Sequence, residues 1–574
     1  MMELKEKRIF HILFALIGLV VYAGMFIPVM EVDAAQYASI SKQMWKEQSF
    51  LEVYHREANY LDKPPLLFWL SGLSMGIFGY SHFFYKLPSV LFSVLGLWST
   101  FRLAKLFYGE RTAYWATLMY GTSVAFFIFN NDIRTDTLII NLLVFIVYQL
   151  MRFKSEGTWL NLISAFVGVG LAMLAKGPLG LVFPVLAVMP DAFFKGEWKF
   201  MFNWKWIPGL IIVALILLPM SYGLYMQFDA RPEAWVNGQK GVSGLRFFYW
   251  TQSFGRITGE SVWAQGSGNN PGAFYLTQSF LWAFLPWSPL FLFGFVNKLI
   301  RLFKSRFASF KSEEWVSFFA FLLPLVALSK SGYQLNHYIY VVLPFAAIMS
   351  AKTLEDWEGE KGGWRKAWRV YIGVFLVAAL ALITWLCLFA FPSATSWLYL
   401  LIAIVPVVFY KRLYSRPSYF LASVAIIAFT MMNLHFYPQL MHYQTSEAVI
   451  EAYEPYNTEE NKLFFYKTGT NHAIDFEHDT WLPRFIPWQE EAFGYNKRPY
   501  LYTNKVGLKI LKEDGFQVEL LDSFDYFPIT QLNAKFLNPA KRHTMTRKRY
   551  LVRFAGIPEK SASERFKDTR ILLE

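Results

Sequence analysis

The chain has 574 residues, of which 55% are hydrophobic and only 17% charged. That balance excludes a disordered chain and argues against an ordinary soluble enzyme, where about 25% of residues are charged. A formal net charge of +13 would suggest nucleic acid in a soluble protein, but here the basic residues fall between apolar runs, so no nucleic-acid partner is expected.

A membrane-spanning helix needs about 20 apolar residues. Runs of that kind fall at 9–30, 84–107, 112–129, 135–151, 159–175, 178–194, 206–226, 274–296, 315–329, 338–351, 369–390, 395–410 and 417–437, roughly 13 in all. The first is too long for a signal-peptide core and is expected to remain as a helix. Residues 65–80 are apolar but short, which fits an interfacial or re-entrant helix. Aromatic residues make up 19% of the chain, as expected for belts at the lipid–water boundary. The single cysteine, Cys387, excludes an intramolecular disulfide and a thiolate metal cluster.

Lysine and arginine placement orients the runs. Arg102, Lys105 and Arg111 share one side with Lys195, Lys199 and Lys205, with the 298–311 cluster, with 361–369 and with Lys411, Arg412 and Arg416. The other side carries little beyond Arg134, Lys176 and Lys330. The positive-inside rule puts the first set in the cytoplasm. Three large segments then lie outside, at 31–82, about 227–273 and 438–574. The domain division expected is 1–437, a transmembrane domain, followed by 438–574. This tail is more polar and alternates strand-like runs (463–466, 500–503, 516–521, 550–554) with a helical run at 505–514. It reads as a small α/β domain outside the membrane.

The first outer segment opens EVDAAQYASISKQMW. Tyr37, Ile40, Met44 and Trp45 share a helical face, which suggests a helix lying along the membrane surface. Asp33 is either the cap of that helix or a carboxylate held at the membrane boundary as a base. In NYLDKPPLLFWL, Lys63 precedes two prolines that fix the backbone. It is either a snorkelling lysine or a point charge for a lipid phosphate. Asp132, Arg134 and Asp136 stand at the mouth of a span, where charge is costly and marks function unless an Arg–Asp pair merely neutralises itself. Lys176 and Lys330 suit an anionic headgroup or serve as helix-end anchors. His337 reads as a polar loop residue, since no metal-binding spacing surrounds it. Nucleotide-binding glycine loops and a G-x-S-x-G elbow are absent from the sequence.

Taken in order, E-x-D-x-x-x-Y after the first span, Y-x-x-K-P-P, and R-x-D at a later span resemble bacterial membrane glycosyltransferases of the GT-C type, in the protein O-mannosyltransferase and aminoarabinose (lipid A) transferase group. The likeness extends through 102–123, 170–186, 271–290 and 328–344. It implies an α-helical integral membrane protein with a soluble C-terminal domain. It also implies an inverting transfer from a polyprenyl-phosphate sugar, without cofactor or metal, at the periplasmic face of the inner membrane. By resemblance, Asp33 and Asp136 are catalytic. Lys63 holds the donor phosphate, and Lys330 and Arg134 assist. Glu31, Tyr37, Tyr60, Tyr338 and Asp132 line the pocket. Gln36 stands where aminoarabinose transferases carry a phosphate-contacting arginine. Lipid A, another envelope glycan or a protein hydroxyl are the candidate acceptors. A transporter is the rival from another class, but such proteins favour inverted repeats and charges near mid-membrane, and this sequence has neither.

Overall fold

The structure is a computed structural model that describes residues 2–252, 255, 272, 274–358, 364–408, 416–458, 461–485 and 499–556. The chain divides into two compact units. One is Met1–Ile27, Ile40–Ile383 and Trp397–Asn433; the other is Pro28–Ser39, Thr384–Ser396 and Leu434–Glu574.

Eight helices among the described residues are long and apolar enough to cross a membrane: Leu4–Gly24, His82–Tyr108, Thr135–Glu156, Trp159–Lys176, Trp198–Asp229, Asn336–Trp357, Lys366–Ala390 and Pro417–Gln444. Leu66–Phe78, Val316–Ser329 and Ser396–Val405 are shorter apolar helices. Two runs expected as single spans are each broken. The run at 112–129 becomes Glu110–Gly121 and Val124–Asn131, because Ser123 Oγ accepts the Phe126 N–H and starts a new helix. The run at 274–296 becomes Tyr275–Ala283 and Ser288–Lys304, parted at Pro286, which cannot donate to the preceding turn.

The helices that position the site are α1 (Leu4–Gly24), α2 (Asp33–Glu47), α3 (Leu66–Phe78), α4 (His82–Tyr108), α5 (Glu110–Gly121), α6 (Val124–Asn131), α7 (Thr135–Glu156) and α8 (Trp159–Lys176). The most enclosed of the spanning helices is α7, packed against α4 and α8. Its Asn141 stitches three helices together. The side-chain oxygen accepts from Tyr120 of α5 at 2.8 Å, and the amide donates to Ser93 of α4 at 3.3 Å. Gly96 of α4 makes room: a Cβ there would lie 1.8 Å from Asn141 Oδ1. Small residues and interhelical hydrogen bonds are what hold helices together where lipid offers no hydrophobic drive. Lys86 of α4 is fully buried and donates to Gly24 O and Ile27 O at 3.0 and 2.8 Å, satisfying carbonyls that the end of α1 leaves open.

Helix α2 is not the one-faced surface helix expected. Tyr37, Ile40 and Met44 are buried, but so are Ala35, Ser39, Lys42 and Gln43 on the opposite side. Its second half packs on α3, whose Gly72 and Gly76 leave space for Ser41 and Trp45; a Cβ at Gly76 would overlap the Trp45 ring.

The second unit is built on a four-stranded sheet. Two short hairpins among the described residues, β1 (Tyr54–His55) with β2 (Ala58–Asn59) and β3 (Trp235–Val236) with β4 (Gln239–Lys240), belong to the first unit. The sheet itself comprises β5 (Leu463–Tyr466), β6 (Tyr500–Asn504), β7 (Gln517–Tyr526) and β8 (Arg547–Gly556), in the order β5-β6-β8-β7. The β5–β6 pair is parallel, and β8 runs antiparallel to both neighbours. Alternate residues serve two cores. Leu463, Phe465, Tyr500, Tyr502 and Leu551 pack with Val449 and Tyr453 of the helix Ser446–Tyr453. Phe464, Tyr466, Leu501, Val552 and Phe554 pack with Leu511 of the helix Lys505–Glu513. A sheet covered on both faces explains why LFFY and YLYT read as unbroken apolar runs.

Candidate active site

The turn between α6 and α7 places three charges in five residues. Asp132 closes α6, Arg134 in extended backbone precedes α7, and Asp136 lies in the first turn of α7. Arg134 Nη2 pairs with Asp132 Oδ2 at 2.8 Å, so half of the self-neutralising reading holds. Asp132 Oδ1 is buried and takes no hydrogen bond among the described residues. Asp136, only 4% exposed, is not part of that pair.

Its partner comes from the end of α8. Lys176 Nζ binds Asp136 Oδ1. The chain leaves α8 through Gly177 at φ +73°, a conformation that favours glycine and turns the backbone sharply after the lysine. His337, in the 3-10 turn Asn336–Val342, brings Nε2 to 3.7 Å from Asp136 Oδ2. The neighbouring Tyr338 lays its ring 4.5 Å beneath Lys176 Nζ, a cation–π contact. Arg134, Lys176 and Lys63 all act electrostatically on His337. Lys176, His337 and Arg134 therefore gather around one buried carboxylate, and Lys63 acts on the same histidine.

Lys63 is held by loops that lock together. Gln227 donates to Val53 O and Asn59 Oδ1 and accepts from Val53 N–H, and Asn59 donates to Trp235 O, so the two hairpins sit side by side. Leu61, Phe228 and Val236 form a small apolar core beneath them. Gln252 donates to Asp62 O at 2.7 Å. Lys63 Nζ rests 2.9 Å from Asp62 Oδ2. Tyr60, Asp62, Lys63, Pro64, Phe247 and Gln252 line a narrow cleft of about 30 Å³. Its walls are largely apolar, with the Lys63–Asp62 pair and the Gln227 and Gln252 amides as the polar groups.

Lys330 is exposed at the end of helix Val316–Ser329 and makes no ion pair among the described residues. Asp33, half-buried, opens α2 as its first helical residue rather than preceding it as a cap, and it belongs to the second unit with Glu31 and Tyr37. The Glu31 carboxylate is taken up by a backbone N–H, that of Ala473, at 2.6 Å. Sequence reasoning missed His337 and the pairing of Lys176 with Asp136. The one available signal was a lysine breaking the positive-inside pattern.

Residues 62–222 match the family model described as dolichyl-phosphate-mannose-protein mannosyltransferase. Lys63, Asp132, Arg134, Asp136 and Lys176 all fall inside that span. An undecaprenyl phosphate-alpha-4-amino-4-deoxy-L-arabinose arabinosyl transferase of Pseudomonas fluorescens (strain Pf0-1) is 25% identical over 352 residues, 59% of this chain and 56% of that protein. The enzyme of the same name from Pseudomonas paraeruginosa is 27% identical over 334 residues, 57% and 55% of the two chains. The chain thus spans little more than half the length of the curated relatives it matches. The crystal structure of ArnT from Cupriavidus metallidurans bound to undecaprenyl phosphate superposes with a TM-score of 0.69 at 15% identity, covering 94% of this chain and 97% of that one. The chain resembles the bacterial GT-C membrane glycosyltransferases of the protein O-mannosyltransferase and aminoarabinose transferase group. The resemblance carried by the motifs and the shared fold therefore agree. In the terms of that group, the R-x-D aspartate is Asp136, and this structure sets it against Lys176 and His337.

Proposed function

We propose that the protein is an inverting glycosyltransferase that moves a sugar from a polyprenyl-phosphate donor to an envelope acceptor, with lipid A the first candidate. The gathering of Arg134, Lys176 and His337 around Asp136, with Lys63 acting on the same histidine, carries this reading, in a fold shared with an ArnT crystallised with undecaprenyl phosphate. The sugar is aminoarabinose-like or a hexose. In the transfer, an acceptor oxygen attacks the anomeric carbon, the bond from that carbon to the phosphate oxygen breaks, and polyprenyl phosphate departs with the bonding electrons. Charge grows on the departing phosphate, and preorganised cations there are the largest lever on such a barrier. Lys63 supplies one, with Arg134 and Lys330 as further candidates. Asp33 takes the proton of a hydroxyl acceptor, or orients a phosphate acceptor that has none to lose. Asp136 pairs with Lys176 and fixes the position of its ammonium group.

The working topology has about 13 spans, with 438–574 a domain outside the inner membrane and the site facing the periplasm. A protein hydroxyl as acceptor is the second reading, favoured by the description of the family model. Mass spectrometry of envelope lipids from cells carrying wild type, Asp33→Asn or no protein separates the cases. A pentose- or hexose-sized addition seen only with wild type supports the lipid acceptor. Identical lipids in all three overturn it and shift attention to glycoproteins; unchanged glycoproteins as well would favour a transporter.

A further inference from the structure

The segment that carries Asp33 is tied down by the second unit to which it belongs. Gln444 is 1% exposed, and its amide is fully used. The oxygen accepts the Glu31 N–H at 2.8 Å, while the nitrogen donates to Val29 O at 2.8 Å and to Ser446 Oγ at 3.2 Å. Both hydrogens and the oxygen are engaged, so flipping the amide would set donor against donor. Glu31 acts in the opposite direction. Its carboxylate accepts the Ala473 N–H, in the first turn of helix His472–Glu477. Beside Gln444, Thr445 meets the Tyr502 hydroxyl on strand β6 at 2.8 Å. Within the segment, Ala35 N–H donates to Met30 O and Gln36 N–H to Val32 O. Val29, Met30, Ala34 and Ala35 are buried, whereas Val32 is 49% exposed.

A connection between two helices needs none of this. Gln and Glu are costly to bury; here Gln444 is spent on main-chain groups within four residues of Asp33, and Glu31, two residues from Asp33, is spent on the Ala473 N–H. We propose that Gln444 and Glu31 are positioning residues, and that the C-terminal unit is a brace fixing the backbone that leads into Asp33. The inference rests on the reading of Asp33 as the acceptor-side carboxylate, and it gives the C-terminal unit a task in the transfer.

The test uses the full-length protein in nanodiscs, with amide hydrogen exchange and turnover of polyprenyl-phosphate aminoarabinose onto lipid A. In Gln444→Leu, exchange across residues 29–36 rises at least about tenfold while β6 and β8 stay protected. Turnover falls about tenfold to a hundredfold with the donor KM within about twofold, as misplacement of a reacting group requires. Unchanged exchange at 29–36 overturns the brace, and so does raised exchange with wild-type kcat. If Gln444→Leu also exposes β6 and β8, the pair Glu31→Ala and Glu31→Gln decides. Ala must lose the protection, and Gln, which keeps an acceptor for the Ala473 N–H, must restore it; equal exchange in the two overturns the proposal. A wild type inert toward the donor sinks the transfer reading, while the exchange measurement by itself still decides the brace.

Discussion

His337 Nε2 stands 3.7 Å from one oxygen of Asp136, and Lys176 Nζ binds the other. A carboxylate this enclosed is costly alone, and removing one partner of a buried pair costs about 3–5 kcal/mol. Lys176→Met and Asp136→Asn are therefore each expected to lower stability by about 3 kcal/mol. The double variant leaves no unpaired charge and should recover much of that loss. Transfer stays low in all three if the pair serves the reaction. Thermal unfolding in nanodiscs together with turnover checks this; a double variant with wild-type turnover would make the pair purely structural.

Lys63 lines a cleft with apolar walls and pairs with the neighbouring Asp62. A hydrogen bond from a charged group contributes about 1.5–3 kcal/mol. Lys63→Gln should raise the donor Kd by roughly tenfold to a hundredfold, while binding of an uncharged polyprenol is unchanged. Isothermal titration with polyprenyl phosphate and with polyprenol makes the comparison. Equal weakening for the two ligands would place Lys63 outside the phosphate contact.

The apolar runs and the tail strands were legible because each is a local pattern of composition or alternation. LFFY became Leu463–Tyr466, and YLVRF lies within Arg547–Gly556. Asp136 was legible as a charge out of place, but its partners were not: Lys176 is 40 residues away, and no local pattern announces such a pairing. His337 looked ordinary for the same reason. In α2 the apolar face is visible in the sequence, yet Ala35, Ser39, Lys42 and Gln43 are buried on the opposite side, where small and polar residues carry no amphipathic signal. Glu31 resembled a pocket acid because its place in the motif is visible, whereas its acceptor role toward Ala473 is a contact across 442 residues.

Gly76 of α3 offers a test of that small-residue packing. A Cβ there would come within 1.9 Å of the Trp45 ring. Gly76→Ala must displace the indole or separate the helices, and overpacking of this kind costs about 1–3 kcal/mol. The exposed Gly79 end of α3 has open space around it, but its φ of +104° makes Gly79→Ala a strain test rather than a packing test. Combining Gly76→Ala with Trp45→Leu should relieve much of the loss. If Gly76→Ala unfolds at the wild-type temperature, α2 and α3 are not in the close contact seen here.

His55, in β1, is largely buried, and desolvation, reinforced by the Arg56 charge, lowers its pKa to about 4. The neutral ring is favoured in the folded state. Above the unfolded value of about 6.5 both states are neutral, and the group leaves stability unchanged with pH. As pH falls below that value the unfolded chain takes up a proton that the folded chain refuses, so stability drops until about pH 4, where the folded ring also titrates. The loss across that window is on the order of 3 kcal/mol. His55→Gln lacks the titrating group and should lose less. Unfolding temperatures of wild type and variant in nanodiscs from pH 7.5 down to about 4.5 measure the difference; a gap that stays constant across the range would show that His55 titrates alike in both states.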